Sequence, residues 1–392
     1  MTDPYKTYQK RLDRIKKQNL SRQLNCIDRR HKKMISVNNN TCLNLSSNDY
    51  LGLATNETIL QIFYNQMNAS NRINEFGLGA SSSRLLTGNF ALYEKLESKI
   101  QELYQRSGAL VFNSGYHANI GMIPILAKDG DLILSDSLNH ASIVDGIGLS
   151  KADRIIFRHN DLNHLADILA RKRDRYKRVL IITESVFSMD GDLADLPELV
   201  KIKDRYEALL YVDEAHSAGI YGENGLGLCE ETLAMDSIDI ILGTCGKALA
   251  SHGAYAVTNR IIKNVLINGM RSLLYTTALP PVAVNWNLYI ISRLHKFKHQ
   301  RKNIKRVSTQ FKKELERFGL KTPGHSHILP VLTFDNKKAI LLTEKLLEYG
   351  FLTYPIRPPT VFENQSRIRI SLTSDIDFKD ISDIPELILS NI

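Results

Sequence analysis

The chain has 392 residues, 43% hydrophobic and 24% charged, with a formal net charge of +9. This is the make-up of a globular enzyme too long for one layered core. No stretch is long and apolar enough for a membrane span, no C-x-x-C spacing supports a zinc or redox motif, and the scattered Cys26, Cys42, Cys229 and Cys245 read as reduced thiols of a cytoplasmic protein.

The first element is a basic helix. From Met1 to Lys33 eleven Lys/Arg stand against three Asp/Glu, a net of +8, so this segment carries nearly all the excess charge. It lacks the apolar core of a signal peptide. Tyr5, Tyr8, Leu12 and Ile15 recur at helical spacing, which predicts an amphipathic helix laid on a body, its cations forming a solvated face or a docking surface for an acidic partner. No aromatic-interleaved basic motif accompanies the charge, which argues against nucleic-acid binding. A short strand at Thr41–Leu45 leads into the polar loop Ser46–Gly52. Strand and helix patterns then alternate. Strands are predicted at Ala109–Phe112, Leu132–Ser135, Arg154–Phe157, Val179–Thr183, Leu209–Asp213, Ile238–Thr244 and Gly253–Val257, with helices between them at sites such as Leu162–Arg171 and Leu196–Tyr206. This is the pattern of an α/β domain built on a mostly parallel, seven-stranded, doubly wound sheet. A helical stretch from Val282 to Phe318 precedes a small α+β C-terminal domain, with strands at Ile328–Phe334, Leu352–Pro355 and Arg367–Leu372 and a helix at Lys337–Tyr349. The expected division is an N-terminal helix and strand segment (1–50), a large domain (51–290) and the small domain (291–392).

Polar groups cluster just after the strands, where open α/β sheets bind ligands. Leu209–Val212 ends in Asp213-Glu214-Ala215-His216, and Ile238–Leu242 is followed closely by Thr244-Cys245-Gly246-Lys247. The D-E-A-H sequence alone also suits a nucleotide-hydrolysing helicase. A phosphate loop G-x-x-x-x-G-K-[ST] fails here, because Ile241 stands at its first glycine and Ala248 follows Lys247. H-E-x-x-H and G-x-S-x-G are absent, and His325-x-His327 lies in a Pro-Gly loop without a third ligand nearby, so no metal is expected. A lysine amine, a carboxylate and an imidazole gathered at strand ends are what pyridoxal 5'-phosphate (PLP) needs: the lysine for its aldehyde, the carboxylate for its pyridinium nitrogen. Thr244, three residues before Lys247, suits a phosphate contact. The turn Phe112–Asn119 opens a helix whose amides form a second anion site, His140 suits stacking on a flat ring, and Glu184–Asp192 ends a further strand with hydroxyls and carboxylates.

With these motifs in view, the chain resembles the α-oxoamine synthase family of PLP enzymes over nearly its whole length. The resemblance rests on Ser46–Leu53, Asn139–Ser142, Phe187–Asp192, Asp213–His216 and Thr244–Lys247. It implies a homodimer of PLP fold type I with active sites shared between subunits. It further implies that Lys247 holds PLP and moves protons at the substrate α-carbon, that Asp213 pairs with the pyridinium nitrogen, that His216 and Ser188 contact the ring hydroxyl region and that His140 stacks on the ring. Gly115, Tyr116 and Thr244 would hold the cofactor and its phosphate, with Thr276 and Thr277 reaching the phosphate of the other subunit. Asn48 and Arg369 match contacts to the amino acid, and Arg22 and Thr360 contacts to the acyl substrate. The segments Ile356–Val361 and Arg367–Leu372 point to the branch that condenses L-alanine with a pimeloyl thioester on acyl carrier protein or coenzyme A, releasing CO2 and thiol. A relative using glycine or another acyl thioester is the first alternative. A non-catalytic basic binding protein on the same fold is the second, and intact Lys247, Asp213 and His216 argue against it. The chain departs from the family pattern at Ala250, where glycine is common, at His252 and at Leu85.

Overall fold

The structure, a computed structural model, describes residues 4–391. The chain forms two compact units. One gathers everything up to Thr55, the short piece Met189–Asp192 and the chain from Lys302 onward; the other holds Asn56–Ser188 and Leu193–Arg301. The expected three-part division kept the first fifty residues apart from the C-terminal region, whereas here they share a unit.

In the first unit the helix Lys6–Lys17 places Arg14, Lys16 and Lys17 in its last turn, where cations suit the helix dipole. It was expected to bury its apolar stripe on a body. Instead Tyr5, Tyr8 and Leu12 stay 74%, 66% and 53% exposed. Beyond it the basic segment turns extended and becomes strand β1 (Ile27–His31), followed by β2 (Met34–Val37) and β3 (Asn40–Asn44) in an antiparallel meander. β1 escaped prediction because Ile27-Asp28-Arg29-Arg30-His31 is exposed throughout and so shows no apolar alternation.

The second unit is built on a seven-stranded sheet. Its strands are β4 (Gly108–Phe112), β5 (Leu132–Asp136), β6 (Asp153–Phe157), β7 (Val179–Glu184), β8 (Leu209–Asp213), β9 (Ile240–Thr244) and β10 (Ala254–Thr258), in the order β4-β10-β9-β8-β7-β5-β6. The predicted strands meet these with end shifts of at most two residues. Only β10 runs against the rest; β6, β5, β7, β8 and β9 pair parallel. β4, β5, β7, β9 and β10 are buried at every residue. That is why their sequences are continuous apolar runs: both faces of a parallel sheet are covered. On one face the helices Gly115–Leu126 and Ala141–Leu149 pack Met122, Ile123, Ile143 and Ile147 against Leu110, Ile133, Leu180, Ile182 and Leu242. Polar residues are thereby driven to the strand ends.

Back in the first unit, β11 (Ile328–Phe334), β13 (Tyr354–Ile356) and β14 (Ser366–Ser371) form a second, antiparallel sheet in the order β11-β14-β13. β12 (Phe351–Leu352) instead adds to the N-terminal meander, parallel to β3. The piece Met189–Asp192 is tied in by the ion pair of half-buried Asp190 with buried Arg367. Gly191, at φ +68°, lies so close to the Ile328 carbonyl that a Cβ would collide with it. The Asp190-Gly191 step of the Phe187–Asp192 motif thus has a packing reason. The predicted helical stretch after Val282 resolves into Pro281–Ile291, a short 3-10 turn and Lys298–Arg317.

Candidate active site

Parallel pairing aligns the C-terminal ends of β7, β8 and β9, so Glu184 faces Asp213 across the β7–β8 ladder. Lys247 follows β9 in the turn that leads to β10. That turn is closed by Cys245 N–H to Gly253 O at 2.9 Å, Ser251 N–H to Cys245 O at 2.9 Å and Ala250 N–H to Lys247 O at 2.9 Å. Ala250 sits at φ +52°, a left-handed conformation that costs an L-residue about 1–2 kcal/mol and that glycine adopts freely. The family's usual glycine has its reason there. The Lys247 amine lies 2.7 Å from His216 Nε2. Thr244 is buried, donating to Gly253 O at 3.2 Å and accepting from Gly246 N–H at 3.2 Å, so its hydroxyl braces the turn.

Asp213 is buried, and a buried carboxylate needs donors. Oδ1 accepts Ala215 N–H at 2.9 Å and Oδ2 accepts Asn119 Nδ2 at 3.0 Å. An ionised carboxyl offers about four acceptor positions, so capacity is left for another donor. Beside it, burial and then the Asp213 charge push the Glu184 carboxyl up to about 8, against pulls from Lys247 and the His140 backbone amide. Two neighbouring carboxyls in one apolar setting do not both ionise readily. His140 caps the helix Ala141–Leu149, its Nδ1 accepting Ser142 N–H at 3.2 Å. Desolvation lowers the His140 pKa; Asp213 opposes this and Lys247 adds to it. The neighbouring Glu214 is fully buried and accepts Leu228 N–H at 2.8 Å and Cys229 N–H at 2.7 Å, fixing the segment that carries His216.

Gly115 opens the helix Gly115–Leu126, whose N-cap Ser114 accepts His117 N–H at 3.1 Å. The first amides of a helix have no acceptor within it. A Cβ built on Gly115 would meet no atom within 4 Å, so that end faces open space. The Tyr116 hydroxyl is bound to Asp145. Ser188 is buried. Thr277 follows the short helix Arg271–Leu274, its carbonyl accepting Asn113 Nδ2 at 2.6 Å, with Thr276 half-buried beside it.

The remaining candidates lie in the first unit. Arg369 on β14 sends Nη1 and Nη2 to Asn48 Oδ1, each at 3.4 Å, and Nη2 to the Tyr50 hydroxyl at 3.3 Å. Its Nε is buried with no partner among the described residues. A guanidinium so placed, facing neutral oxygens, is ready for an anion. Exposed Arg22 donates to Thr360 Oγ1 at 2.9 Å. Arg357 anchors the same stretch through the Asn19 and Ser21 carbonyls. The expected substrate residues therefore fall into two pairs, Asn48–Arg369 and Arg22–Thr360. Tyr50, Glu184 and Asn119 are additions: each lies inside a motif quoted above, but only the fold gives it a partner there.

These residues fit PLP. An amine sits within hydrogen-bond reach of an imidazole, a buried carboxylate keeps acceptor capacity, and an open helix start suits a phosphate.

Comparison with known proteins places the chain in a family. The family model for class I and II aminotransferases matches residues 40–382. An 8-amino-7-oxononanoate synthase from Chlorobaculum parvum is 47% identical over 347 residues, 88% of each chain. Among solved structures, a lysine-to-alanine variant of serine palmitoyltransferase from S. paucimobilis with a bound PLP–myriocin aldimine superposes with TM-score 0.90 at 25% identity, covering 100% of this chain and 98% of its own. An 8-amino-7-oxononanoate synthase from Francisella tularensis gives TM-score 0.75 at 29% identity, covering 89% of this chain and 97% of its own. The chain belongs to the class I and II aminotransferase family.

The Glu184 pair makes a prediction about stability. Folded, Glu184 loses its proton near pH 8; unfolded, it does so near its ordinary 4.5. Between those values the unfolded chain has already given up the proton, so this group costs stability progressively as pH rises. Glu184→Gln cannot ionise. Its stability relative to the unaltered chain is expected to climb from about pH 4.5 to about pH 8 and then level off. A pH series of denaturant midpoints checks this; parallel curves across the window would contradict it.

Proposed function

We propose that this chain is a PLP-dependent 8-amino-7-oxononanoate synthase, joining L-alanine to a pimeloyl thioester with release of CO2 and thiol in biotin biosynthesis. The observation that carries the reading is the Lys247 amine held 2.7 Å from His216 Nε2, just beyond the strand that neighbours Asp213. The naming of a relative 47% identical supports the choice of substrates.

Bound here, PLP supplies an aldehyde for amines and a ring that takes up the electrons freed at the amino-acid α-carbon. The protein's part is to bind, orient and move protons. Lys247 would hold PLP through its aldehyde and, once released by the incoming amino group, would carry the α-proton, with His216 at hydrogen-bond distance to accept or return it. Asp213 would keep the ring nitrogen protonated, and Asn119 and Ala215 fix the direction of its oxygens. His140 would lie against the ring face, and Ser188 and His216 would meet the ring hydroxyl. The amides of Gly115 and Tyr116, together with Thr244, would hold the phosphate. Arg369 and Asn48 clamp the amino-acid carboxylate, while Arg22 and Thr360 receive the acyl chain.

Thr276 and Thr277 complete the phosphate contacts across a homodimer. Exposed apolar side chains support such an interface. Leu85 and Leu86 are 57% and 75% exposed, and the bridge between Ser83 and Thr277 sets them near the 70% exposed Tyr275. Among the described residues no helix is long and apolar enough to cross a membrane. We place the enzyme in the cytoplasm, consistent with its free Cys26, Cys42, Cys229 and Cys245.

Borohydride reduction of the yellow holoenzyme is expected to fix the cofactor on Lys247. Lys247→Ala should lose the label and at least about 10³-fold in turnover. Peptide mapping that found the label on another lysine would overturn the assignment.

The acyl donor we assign is an acidic carrier protein, met by the helix Lys6–Lys17 with its exposed cations and its exposed Tyr8 and Leu12. Such charges act mainly on the encounter rate and are screened beyond about 8 Å at physiological salt. Changing Lys10, Arg14 and Lys17 to Glu should raise KM for a carrier-protein thioester several-fold, leave the coenzyme A thioester little affected, and lose its effect as salt is added. Equal losses with both donors would refute this docking role.

A further inference from the structure

A chain of hydrogen bonds, buried from Asp213 as far as Ser142, joins Asp213 to exposed His140. The Tyr211 hydroxyl donates to Asn119 Oδ1 at 2.6 Å. Asn119 Nδ2 donates to Asp213 Oδ2 at 3.0 Å and to Ser142 Oγ at 2.9 Å. The opposite amide orientation would set an oxygen against a carboxylate, so the donor side is fixed. Ser142 Oγ therefore accepts from Asn119, and its own proton is free to point at His140 Nδ1, 2.8 Å away. The Ser142 backbone N–H also points at Nδ1, at 3.2 Å. A nitrogen that accepts from a backbone amide carries no proton, so the imidazole proton sits on Nε2. Tyr211, Asn119 and Ser142 are each at most 1% exposed, so water does not compete for these groups.

We infer that Ser142, its hydroxyl aimed by Asn119, is a positioning residue that locks His140 as the neutral Nε2–H imidazole and ties its orientation to that of Asp213. Protonating Nδ1 would turn its new N–H against the Ser142 amide and force the hydroxyl away. The other groups around the ring divide in sign. Asp213 and Asp145 favour the imidazolium, Lys247 disfavours it, and the Glu184 carboxyl takes the His140 backbone amide. A neutral His140 leaves Asp213 without a second cation competing for it. The functional importance of the lock rests on the PLP reading above, because it is there that His140 meets the ring and Asp213 the ring nitrogen.

The test uses holoenzyme carrying ¹⁵N-labelled histidine, with His140→Gln to identify the His140 signals. In the unaltered enzyme at pH 7, His140 is expected to be neutral, with Nδ1 unprotonated. In Ser142→Ala its titration should move up toward the ordinary imidazole value of 6.5, the pH profile of the bound-cofactor absorbance should move with it, and kcat should fall about tenfold with KM for the amino acid little changed. Ser142→Thr, which keeps the hydroxyl, should restore the titration. A protonated Nδ1 in the unaltered enzyme, or a Ser142→Ala titration and absorbance profile that do not move, would overturn the inference. A protein that binds no PLP yet shows Nδ1 unprotonated and shifted by Ser142→Ala would uphold the lock and refute the PLP reading instead.

Discussion

A carboxylate buried at the end of a central strand is the constraint on which the rest of the site depends. Asp213 can lie there only because donors reach it from two directions, the amide of Ala215 just beyond it and the side chain of Asn119 from a neighbouring helix. Each donor imposes conditions of its own. Asn119 must be oriented by Tyr211 and Ser142, and Ser142 in turn by His140. On the other side Glu184, one register across, gives way and keeps its proton up to about pH 8. One buried charge thus organises its neighbours through hydrogen bonds on one side and through a displaced ionisation on the other.

The sheet explains why such a set can exist. In parallel pairing every strand of the set ends on the same edge, so apolar interiors and polar ends separate cleanly. β7 delivers Glu184, β8 Asp213, and β9 the turn that presents Lys247. The antiparallel return of β10 closes that turn so tightly that Ala250 is forced into a left-handed conformation. The turn that presents Lys247 therefore carries a strained residue three positions after it.

Much of this was legible in the sequence. The buried strands appear as apolar runs, and the motifs at their ends name Lys247, Asp213, His216 and His140 before any coordinates. What could not be read depends on partners distant in the chain. β1 is polar and exposed, and it is held by pairing with β2 rather than by burial. The N-terminal meander is joined to the C-terminal region in part by the two-residue strand β12 beside β3, too short for any periodic pattern, and in part by contacts such as the Lys33–Asp380 ion pair. Asn119 lies within the turn-and-helix motif Phe112–Asn119, yet only the fold shows that its amide lies between Asp213 and Ser142. The apolar stripe at Tyr5, Tyr8 and Leu12 makes the helix amphipathic, but its periodicity does not say what covers it, and within this chain it stays exposed.

The central claim is the reaction itself, and product chemistry tests it most directly. Purified enzyme with PLP, carboxyl-labelled L-alanine and a pimeloyl thioester should release labelled CO2 and free thiol in equal amounts and form 8-amino-7-oxononanoate, identified by mass. Neither should appear when the amino acid or the thioester is omitted. Thiol release without CO2, or turnover with glycine in clear preference to alanine, would contradict the account.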